Sequence, residues 1–449
     1  MNESIKGWTN QMKKRVVMLI ILITTILIFC SGCSEGVADE EFITYENNYG
    51  EDDQGFVEYV VERVNASRRT NREYLEDLDY LLATLQDNFP LFNATYRKHS
   101  VSIHELFEDA RTFIEQRNVI HDQAFMHILE TQIFQPIVWM GHLSTMHPFQ
   151  YRMNMEFIES NPESAYDSFG SVQFKALTNP TTVAFYNELP YTGQLLPYNL
   201  STGIIEDNTI AYINLYWMVS LSMNTSEWME SRQTLFDFYY EIQDFQHLII
   251  DIRGNGGGCR GFFPHLIMGP NITEPLSASF YWFINADERS FQRFQEEFVE
   301  WRNLSLEPIS SEVIVNMPYL HEEDLEGFDY FILYQFRASP IEWNRRFNGK
   351  MWLLIDEWTA SAADSATLIS QQTGFATVVG QPTMGGVASI SPVFFALPNT
   401  GILVRYVSIY TTDLYGRNNY EHGTSPDIFN RPGLDAMETV LELIHEGEY

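Results

Sequence analysis

Strand-like and helix-like segments alternate through the second half of this 449-residue chain. Short apolar runs with strand character are separated by longer stretches in which apolar residues recur at helical spacing. The predicted strands are residues 209–215, 247–252, 352–355, 376–379 and 404–410, and the predicted helices are residues 226–242, 360–372 and 433–445. This order indicates an α/β domain over residues 206–449.

The first half of the chain is organised differently. Apolar residues recur at helical spacing between residues 71 and 139, which predicts a small helical subdomain of three helices over residues 69–143. Residues 144–205 form a connecting segment with scattered Pro, Asn, Gly and Tyr, no internal repeat and no recognisable PDZ signature. The acidic, aperiodic residues 33–68 are interpreted as a solvated tether.

Composition excludes several classes of protein. With 27 Lys+Arg against 60 Asp+Glu, the formal net charge is −33. A nucleic-acid binder needs a basic face, so that class is disfavoured. Three cysteines are too few for a disulfide framework or a zinc ribbon, and no His, Asp or Glu set has metal-ligand spacing, so no metal and no cofactor is predicted.

The N-terminus has the features of a targeting segment. Lys13, Lys14 and Arg15 precede an apolar stretch at 16–29, which is too short to span a bilayer comfortably. The following Cys30-Ser31-Gly32-Cys33 resembles a bacterial lipobox, with residues 1–32 as the signal peptide and Cys33 as the lipidated residue. A transmembrane anchor or a plain secretory signal remains an alternative. The predicted location is the extracytoplasmic face of the cell membrane.

A predicted buried strand runs directly into a cluster of glycines. The residues are Asp251, Ile252, Arg253, Gly254, Asn255, Gly256, Gly257 and Gly258. Glycines permit positive φ and leave backbone N–H groups open to a ligand. A phosphate-binding P-loop does not fit, because no Lys-Ser/Thr follows. Either the segment is a tight turn tied down by Asp251 and Arg253, or it supplies an oxyanion-hole amide.

A second strand-to-helix junction lies around Ser361. Small residues surround Ser361 where the strand at 352–355 gives way to the helix at 360–372. A nucleophilic serine needs such a turn, because the helix N-terminus and the amide of Ala362 would then face developing negative charge. The alternative is a simple helix N-cap.

Together these motifs resemble a known enzyme family. The segments at 251–258 and 359–364, followed by Val378 to Gly386 and by the Gly-x-x-Pro-Asp turn at 423–427, are similar to the C-terminal processing (tail-specific) serine peptidase superfamily. That superfamily also contains tricorn-like proteases and the retinoid-binding protein of the interphotoreceptor matrix. The resemblance implies a crotonase-like β-superhelix core, with Ser361 as nucleophile.

The resemblance also bears on the general base. Members with a Ser-Lys dyad carry Lys where this chain has Gly386, and Lys98, Lys175 and Lys350 match no such motif. The tricorn-like branch uses a histidine from the end of the helical region, which corresponds here to His142. The chain departs from that branch in two places. Gly141 replaces a serine beside the histidine, and Tyr420 stands where a glutamate is expected, which leaves Glu421 as the candidate carboxylate.

The predicted function is therefore an exported, lipid-anchored serine endopeptidase that acts on a peptide or protein substrate. Ser361, His142 and Glu421 are the predicted catalytic residues, and the amides of Gly257 and Ala362 the predicted oxyanion hole. The alternative is a catalytically silent relative that binds an apolar ligand or peptide in the same cleft. A hydratase or isomerase on the related crotonase fold is disfavoured, because basic residues for a coenzyme A thioester are scarce.

Overall fold

The computed structural model describes residues 69–116, 121–163, 165–189, 200–218, 226–284, 306–342, 346–386 and 392–447. The predicted signal peptide, the tether and Cys33 lie outside these residues. None of the helices within these ranges combines the length and the apolar character that crossing a bilayer requires.

The described chain begins with a helical region that ends at the turn carrying His142. Its helices are α1 (Asn71–Asn88), α2 (Phe92–His99), α3 (Ile103–Glu115) and α4 (Asp122–Ile128), followed by a π-helical turn, Leu129–Phe134, and two 3-10 turns, Gln135–Ile137 and Met140–His142. Thr70 begins α1 with a capping box. The region therefore contains more helices than the three predicted, because Ser100 takes the left-handed conformation and ends α2 as a separate short helix.

The connecting segment, for which the sequence predicted no element, is largely helical where it is described. After β1 (Ser144–Thr145) come α5 (Pro148–Ser160), α6 (Ala165–Thr178) and α7 (Pro180–Glu188). Residues with side-chain acceptors, His147 and Asn179, cap α5 and α7 ahead of a proline at the first helical position.

A six-stranded sheet forms the centre of the α/β part. Its strands are β2 (Leu200–Glu206), β3 (Ile210–Leu215), β4 (His247–Asp251), β8 (Lys350–Ile355), β9 (Thr377–Gly380) and β13 (Ile428–Phe429). They lie in the order β13-β9-β8-β4-β3-β2, parallel throughout except for the antiparallel edge strand β2. The helices are α8 (Ser226–Glu241), α10 (Ala362–Thr373) and α12 (Ala436–Glu446). The predicted strands at 209–215, 247–252, 352–355 and 376–379 and the three predicted helices are confirmed to within three residues.

Two antiparallel sheets complete the described fold. Besides β1, their strands are β5 (Leu276–Ile284), β6 (Glu307–Pro308), β7 (Tyr330–Ala338), β10 (Val393–Ala396), β11 (Leu403–Tyr406) and β12 (Tyr410–Thr412). One sheet has the order β12-β5-β7-β6 and the other β1-β11-β10. Two short helices are α9 (Ser311–Val315) and α11 (Asn419–His422). The single strand predicted at 404–410 is wrong: the chain leaves the sheet after β11, where the Val407 N–H donates to the Gly141 carbonyl at 2.8 Å.

Apolar side chains cover both faces of the central sheet. One large cluster continues from the helical region through the sheet to α10, and a second packs α12 against the opposite face. Burial on both faces is what the continuous apolar runs of β4 and β8 predict. The molecule thus has a mixed α/β fold.

Candidate active site

The nucleophile turn and the glycine cluster lie together because of the sheet. β4 and β8 are neighbouring parallel strands, with Asp251 opposite Leu354, so their carboxyl ends emerge at the same edge. The Ala360 N–H donates to the Asn255 carbonyl at 2.9 Å and joins the two loops. A Cβ placed on Gly257 would lie only 2.7 Å from the Cβ of Ser361, so glycine is required for this approach.

The backbone of Ser361 has an uncommon conformation. Its φ is 56° and its ψ is −121°, in a region that L-residues other than glycine avoid at a cost of about 1–3 kcal/mol. The Ser361 N–H donates to the Gly385 carbonyl and its own carbonyl accepts from the Ser365 N–H, at 2.9 and 2.8 Å, which hold the turn. Ser361 precedes α10, but its side chain makes no capping hydrogen bond. The Oγ is therefore available for another partner.

That partner is His142. The His142 Nε2 lies 3.0 Å from the Ser361 Oγ. The histidine sits on the 3-10 turn Met140–His142, with a φ of 56°. Gly141 beside it has a φ of 57°, and a Cβ there would approach the ring of Phe89 to 2.5 Å. Packing against the helical region thus forces glycine at 141 and presents the imidazole to the serine.

The electrostatic surroundings keep His142 neutral. Burial and, as the smaller cause, the positive charge of Arg405 together lower the pKa of His142 from 6.5 to about 3. Arg405 donates from Nε to the Ser144 Oγ at 2.8 Å, and Ser144 in turn donates to the His142 carbonyl at 3.3 Å. A neutral imidazole is the form that can accept the serine proton.

The other ring nitrogen of His142 contacts a tyrosine. Its Nδ1 lies 2.8 Å from the hydroxyl oxygen of Tyr420, and the two rings are nearly perpendicular, at 84°. Tyr420 itself is buried. In the sequence Tyr420 stands out only as a departure from the expected glutamate, and the hydroxyl at the end of its ring is the signal for this role.

Glu421 is not brought to His142. Its carboxylate instead accepts hydrogen bonds from Arg97, with Nε at 3.0 Å from both oxygens and Nη2 at 2.9 Å from Oε2. Arg97 also binds Asp324 through Nη1 at 3.1 Å. The prediction that Glu421 orients the histidine is therefore corrected: successive side chains on the helix α11 point about 100° apart, and the tyrosine rather than the glutamate faces the site.

The two predicted oxyanion-hole amides differ in availability. Gly257 and Ala362 are adjacent, since a Cβ on Gly257 would lie 2.8 Å from the Ala362 nitrogen. The Gly257 N–H, however, donates to the Asn255 Oδ1 at 2.8 Å. Ala362 is the first residue of α10, where N–H groups have no acceptor within the helix. The helix N-terminus thus offers a donor, while the glycine amide is engaged in this conformation.

Gly386 lies against the backbone of Ser361 and the ring of His142. A Cβ on Gly386 would be 3.2 Å from the Ser361 nitrogen and 3.4 Å from the His142 Cε1. A longer side chain at this position would therefore compete with the imidazole for the same space. Lys98, in contrast, donates from Nζ to the Tyr420 carbonyl at 2.6 Å.

The Asp251 and Arg253 pair has a structural place. Arg253 donates to the Asp251 carboxylate from Nε and Nη2, at 2.9 and 2.7 Å, and forms an ion pair with Asp435 at the start of α12. Asp251 and Arg253 therefore stabilise the turn, and the glycines allow its close approach to Ser361.

Two tryptophan rings border the site. A Cβ on Gly256 would lie 3.2 Å from the Trp217 Cζ3 and 3.8 Å from the Trp139 Cη2. The Trp139 ring meets the His142 ring edge to face, with centroids 6.4 Å apart. Trp217 is 38% exposed, so an apolar surface lies open beside the serine and histidine. No group of His, Cys, Asp and Glu with metal-binding geometry occurs in the described part of the chain.

A known family model matches part of this chain. The model of peptidase family S41 matches residues 298–429, a range that includes Ser361 and Tyr420 but not His142. Among solved structures, a protein from Parabacteroides merdae described as a candidate peptidase is 16% identical, with a TM-score of 0.47, and the match covers 84% of this chain and 96% of that one. A lipoprotein from Streptococcus agalactiae is 13% identical, with a TM-score of 0.39 and coverages of 84% and 97%.

A third similar structure is the photosystem II D1 C-terminal processing protease. It is 14% identical, with a TM-score of 0.32, and the match covers 54% of this chain and 51% of that one. Because every one of these TM-scores is below 0.5, the superpositions do not define the fold of this chain. The family match confirms the resemblance to the C-terminal processing serine peptidases and, with it, the prediction of a serine-type peptidase.

Proposed function

We propose that this chain is a serine endopeptidase in which Ser361 is the nucleophile and His142 the general base. The observation that carries the proposal is the 3.0 Å separation between the Ser361 Oγ and the His142 Nε2. A base within hydrogen-bonding reach of the nucleophile is the first requirement of such catalysis. The strained backbone at the start of α10 adds a second feature of nucleophilic serines.

The reaction follows from these positions. Ser361 attacks the carbonyl carbon of the scissile bond as His142 accepts the Oγ proton, and the resulting oxyanion accepts the Ala362 N–H. The imidazolium then gives its proton to the leaving amine nitrogen, and an acyl-enzyme remains. Water then attacks the acyl carbon as His142 accepts a proton from it, the bond from the acyl carbon to the Ser361 Oγ breaks, and the imidazolium returns its proton to the Oγ as the peptide acid leaves. The Gly257 N–H becomes a second oxyanion donor only after it leaves Asn255.

Within the described residues no lysine is recorded against the Ser361 Oγ, which supports histidine as the base. Gly386 occupies the position of the family's lysine, and the imidazole lies close to the space that a lysine side chain would need. The bond from Lys98 to the Tyr420 carbonyl keeps that amine on a backbone acceptor.

A fluorophosphonate probe tests the proposal. The folded full-length protein should be labelled at Ser361, and the Ser361→Ala variant should not be labelled. His142→Ala should label more slowly by about 100-fold or more, since a general base contributes that much. Unlabelled wild-type protein that unfolds cooperatively would exclude the nucleophile.

The second candidate function is a catalytically silent protein that binds an apolar ligand or peptide in the same cleft. Two observations favour it: the Gly257 amide is engaged by Asn255, and no carboxylate is recorded on His142 in the described residues. Native mass spectrometry that finds a co-purified apolar ligand, together with no probe labelling, would select this function.

We further propose a crotonase-like core and an exported, lipid-anchored protein on the extracytoplasmic face of the membrane. The order of parallel strands supports the first, and the lipobox-like sequence ending at Cys33 supports the second. Metabolic labelling with a radioactive fatty acid should mark the wild-type chain and not Cys33→Ser. Equal labelling of both would remove the lipid anchor from the proposal.

A further inference from the structure

We infer that the Tyr420 hydroxyl, rather than a carboxylate, orients His142, and that Arg97 and Lys98 are positioning residues that hold Tyr420 in place. This inference rests on the proposed function and names the group that completes its proton relay. It is drawn from the contacts of α2, α11 and the His142 turn.

The contact to Nδ1 decides what the tyrosine does. For the Nε2 of His142 to accept the Ser361 proton, the imidazole must carry its own proton on Nδ1. The Tyr420 oxygen, 2.8 Å from Nδ1, is positioned to accept that proton in a hydrogen bond. In the opposite tautomer the tyrosine donates to Nδ1 and Nε2–H points at the serine, so the base is blocked. Tyr420 favours the productive tautomer only as an acceptor.

The residue next to His142, at position 141, cannot supply a hydroxyl group to the imidazole. Any side chain at 141 would meet Phe89 at 2.5 Å and the Cγ2 of Val407 at 2.9 Å. The long tyrosine side chain therefore reaches the imidazole directly from α11, and no bridging residue is required.

Tyr420 is held through its own backbone on two sides. Its N–H donates to the Asn418 Oδ1 at 3.0 Å, and its carbonyl accepts from the Lys98 Nζ at 2.6 Å. Because Lys98 lies on α2, the second bond ties α11 to the helical region. The Lys98 amine is partly buried, which lowers its pKa and shields its bond to the Tyr420 carbonyl from bulk water.

The residue after Tyr420 is held by the residue before Lys98. Arg97 contacts both oxygens of Glu421, whose side chain is only 7% exposed, and also the buried Asp324. Consecutive residues of α2 thus grip consecutive residues of α11. A bidentate, partly buried ion pair fixes orientation more firmly than an exposed pair does. A rotation of α11 that moves the tyrosine away from His142 would have to break both the Lys98 and the Arg97 contacts.

Tyr420→Phe removes only the hydroxyl and is the first test. Nitrogen-15 NMR of histidine-labelled full-length protein, with His142→Gln used to assign the signal, should find Nε2 unprotonated in the wild type. In Tyr420→Phe the Nε2–H tautomer should increase and fluorophosphonate labelling should slow about tenfold, the size of one lost hydrogen bond. Tyr239→Phe is the control, because it removes a buried hydroxyl bond to Leu266.

The contacts from Arg97 to Glu421 and from Lys98 to Tyr420, here called the clamp, are tested with separate variants. Lys98→Met and Glu421→Gln should each increase the Nε2–H tautomer and slow labelling about threefold. Glu421→Gln is used because Arg97→Met would leave two buried carboxylates without their cation. Lys175→Met, an exposed lysine, is the matched control. Melting temperatures separate a loss of fold from a change of tautomer.

The outcomes separate the inference from the proposed function. If wild-type protein is not labelled, the proposed function fails. If it is labelled but carries Nε2–H, or if Tyr420→Phe has unchanged tautomer and labelling rate, the tyrosine does not orient the base. If only the clamp variants are unchanged, Arg97 and Lys98 are not positioning residues.

Discussion

Ser361 and His142 meet at one point through different kinds of structure. Ser361 is held by backbone: the ends of two neighbouring parallel strands, a glycine that admits a close approach, and the N-terminus of α10. His142 is held by side chains from distant parts of the chain, with Tyr420 at 278 residues along the sequence and Arg405 acting through Ser144. The part of the site that holds Ser361 is therefore its backbone half, and the part that holds His142 is its side-chain half. We expect the backbone half to tolerate few changes of backbone shape, and the side-chain half to depend on the placement of charges and hydroxyl groups.

Gly257→Ala should have the largest effect, since it breaks the backbone half. The new Cβ would lie 2.7 Å from the Ser361 Cβ and 2.8 Å from the Ala362 nitrogen. Ser361 must move to relieve these contacts, and a misplacement of about 1 Å should slow fluorophosphonate labelling by about 100-fold. Gly254→Ala is the control: its φ is also positive, at 74°, but no atom lies within 4 Å of the new Cβ. Equal labelling of both variants would contradict the requirement for close approach.

Gly141→Ser tests the boundary between the two halves. It introduces a hydroxyl next to His142, but its Cβ meets Phe89, Leu91 and Val407 at 2.5 to 3.0 Å, in a backbone with a φ of 57°. We expect a loss of about 2–4 kcal/mol in the free energy of unfolding and slower labelling. Gly433→Ser, with a φ of 84° and open space around it, should lose only the backbone cost. Chemical denaturation measures both, and a stable, more reactive Gly141→Ser would show that the site lacks a serine there.

The pH dependence tests the side-chain half. The neutral imidazole is the active form, and its pKa is lowered to about 3, so labelling should not decline as the pH falls from about 8 to about 5. Arg405→Met removes a positive charge, which raises the pKa of His142, so the acidic decline in the labelling rate moves to a higher pH. The exposed Arg417→Met is the control. A wild-type decline centred near 6.5 would mean that the imidazole is well solvated.

The same shift has a consequence for stability. An unfolded chain protonates His142 below about pH 6.5, whereas the folded protein does so only near pH 3. The unfolded state therefore binds more protons between these values, and this group makes folding less favourable as the pH falls through that window. Denaturation of wild type and His142→Gln across the window should show a smaller acid dependence in the variant.

Ser365→Ala should have the smallest effect. Its hydroxyl donates to the Ser361 carbonyl at 3.2 Å, one helical turn beyond the nucleophile. We expect a loss of about 1 kcal/mol or less in unfolding free energy and labelling within about twofold of wild type. A large loss of labelling would mean that the serine turn also depends on side-chain support.

The predictions that succeeded concern local structure. The apolar runs of β4 and β8 predict buried parallel strands, and the glycines after β4 and the small residues around Ser361 mark turns at their ends. These features depend on residues close together in the chain, so the pattern of types is sufficient. The three helices of the connecting segment were missed, because Pro, Asn, Gly and Tyr are scattered through it and its apolar residues show no clear period.

The sequence by itself determined that a serine stands at one strand-to-helix turn, that another strand ends in a cluster of glycines, and that position 386 is a glycine and not a lysine. Only the tertiary structure decided which side chain of the pair Tyr420 and Glu421 faces His142. Both side chains end in an oxygen, and a shift of one residue along a short helix turns a side chain by about 100°, which is enough to bring the other residue to face His142. The ion pair with Arg97, 324 residues away, selects the arrangement, and contacts at that separation follow from packing rather than from local pattern.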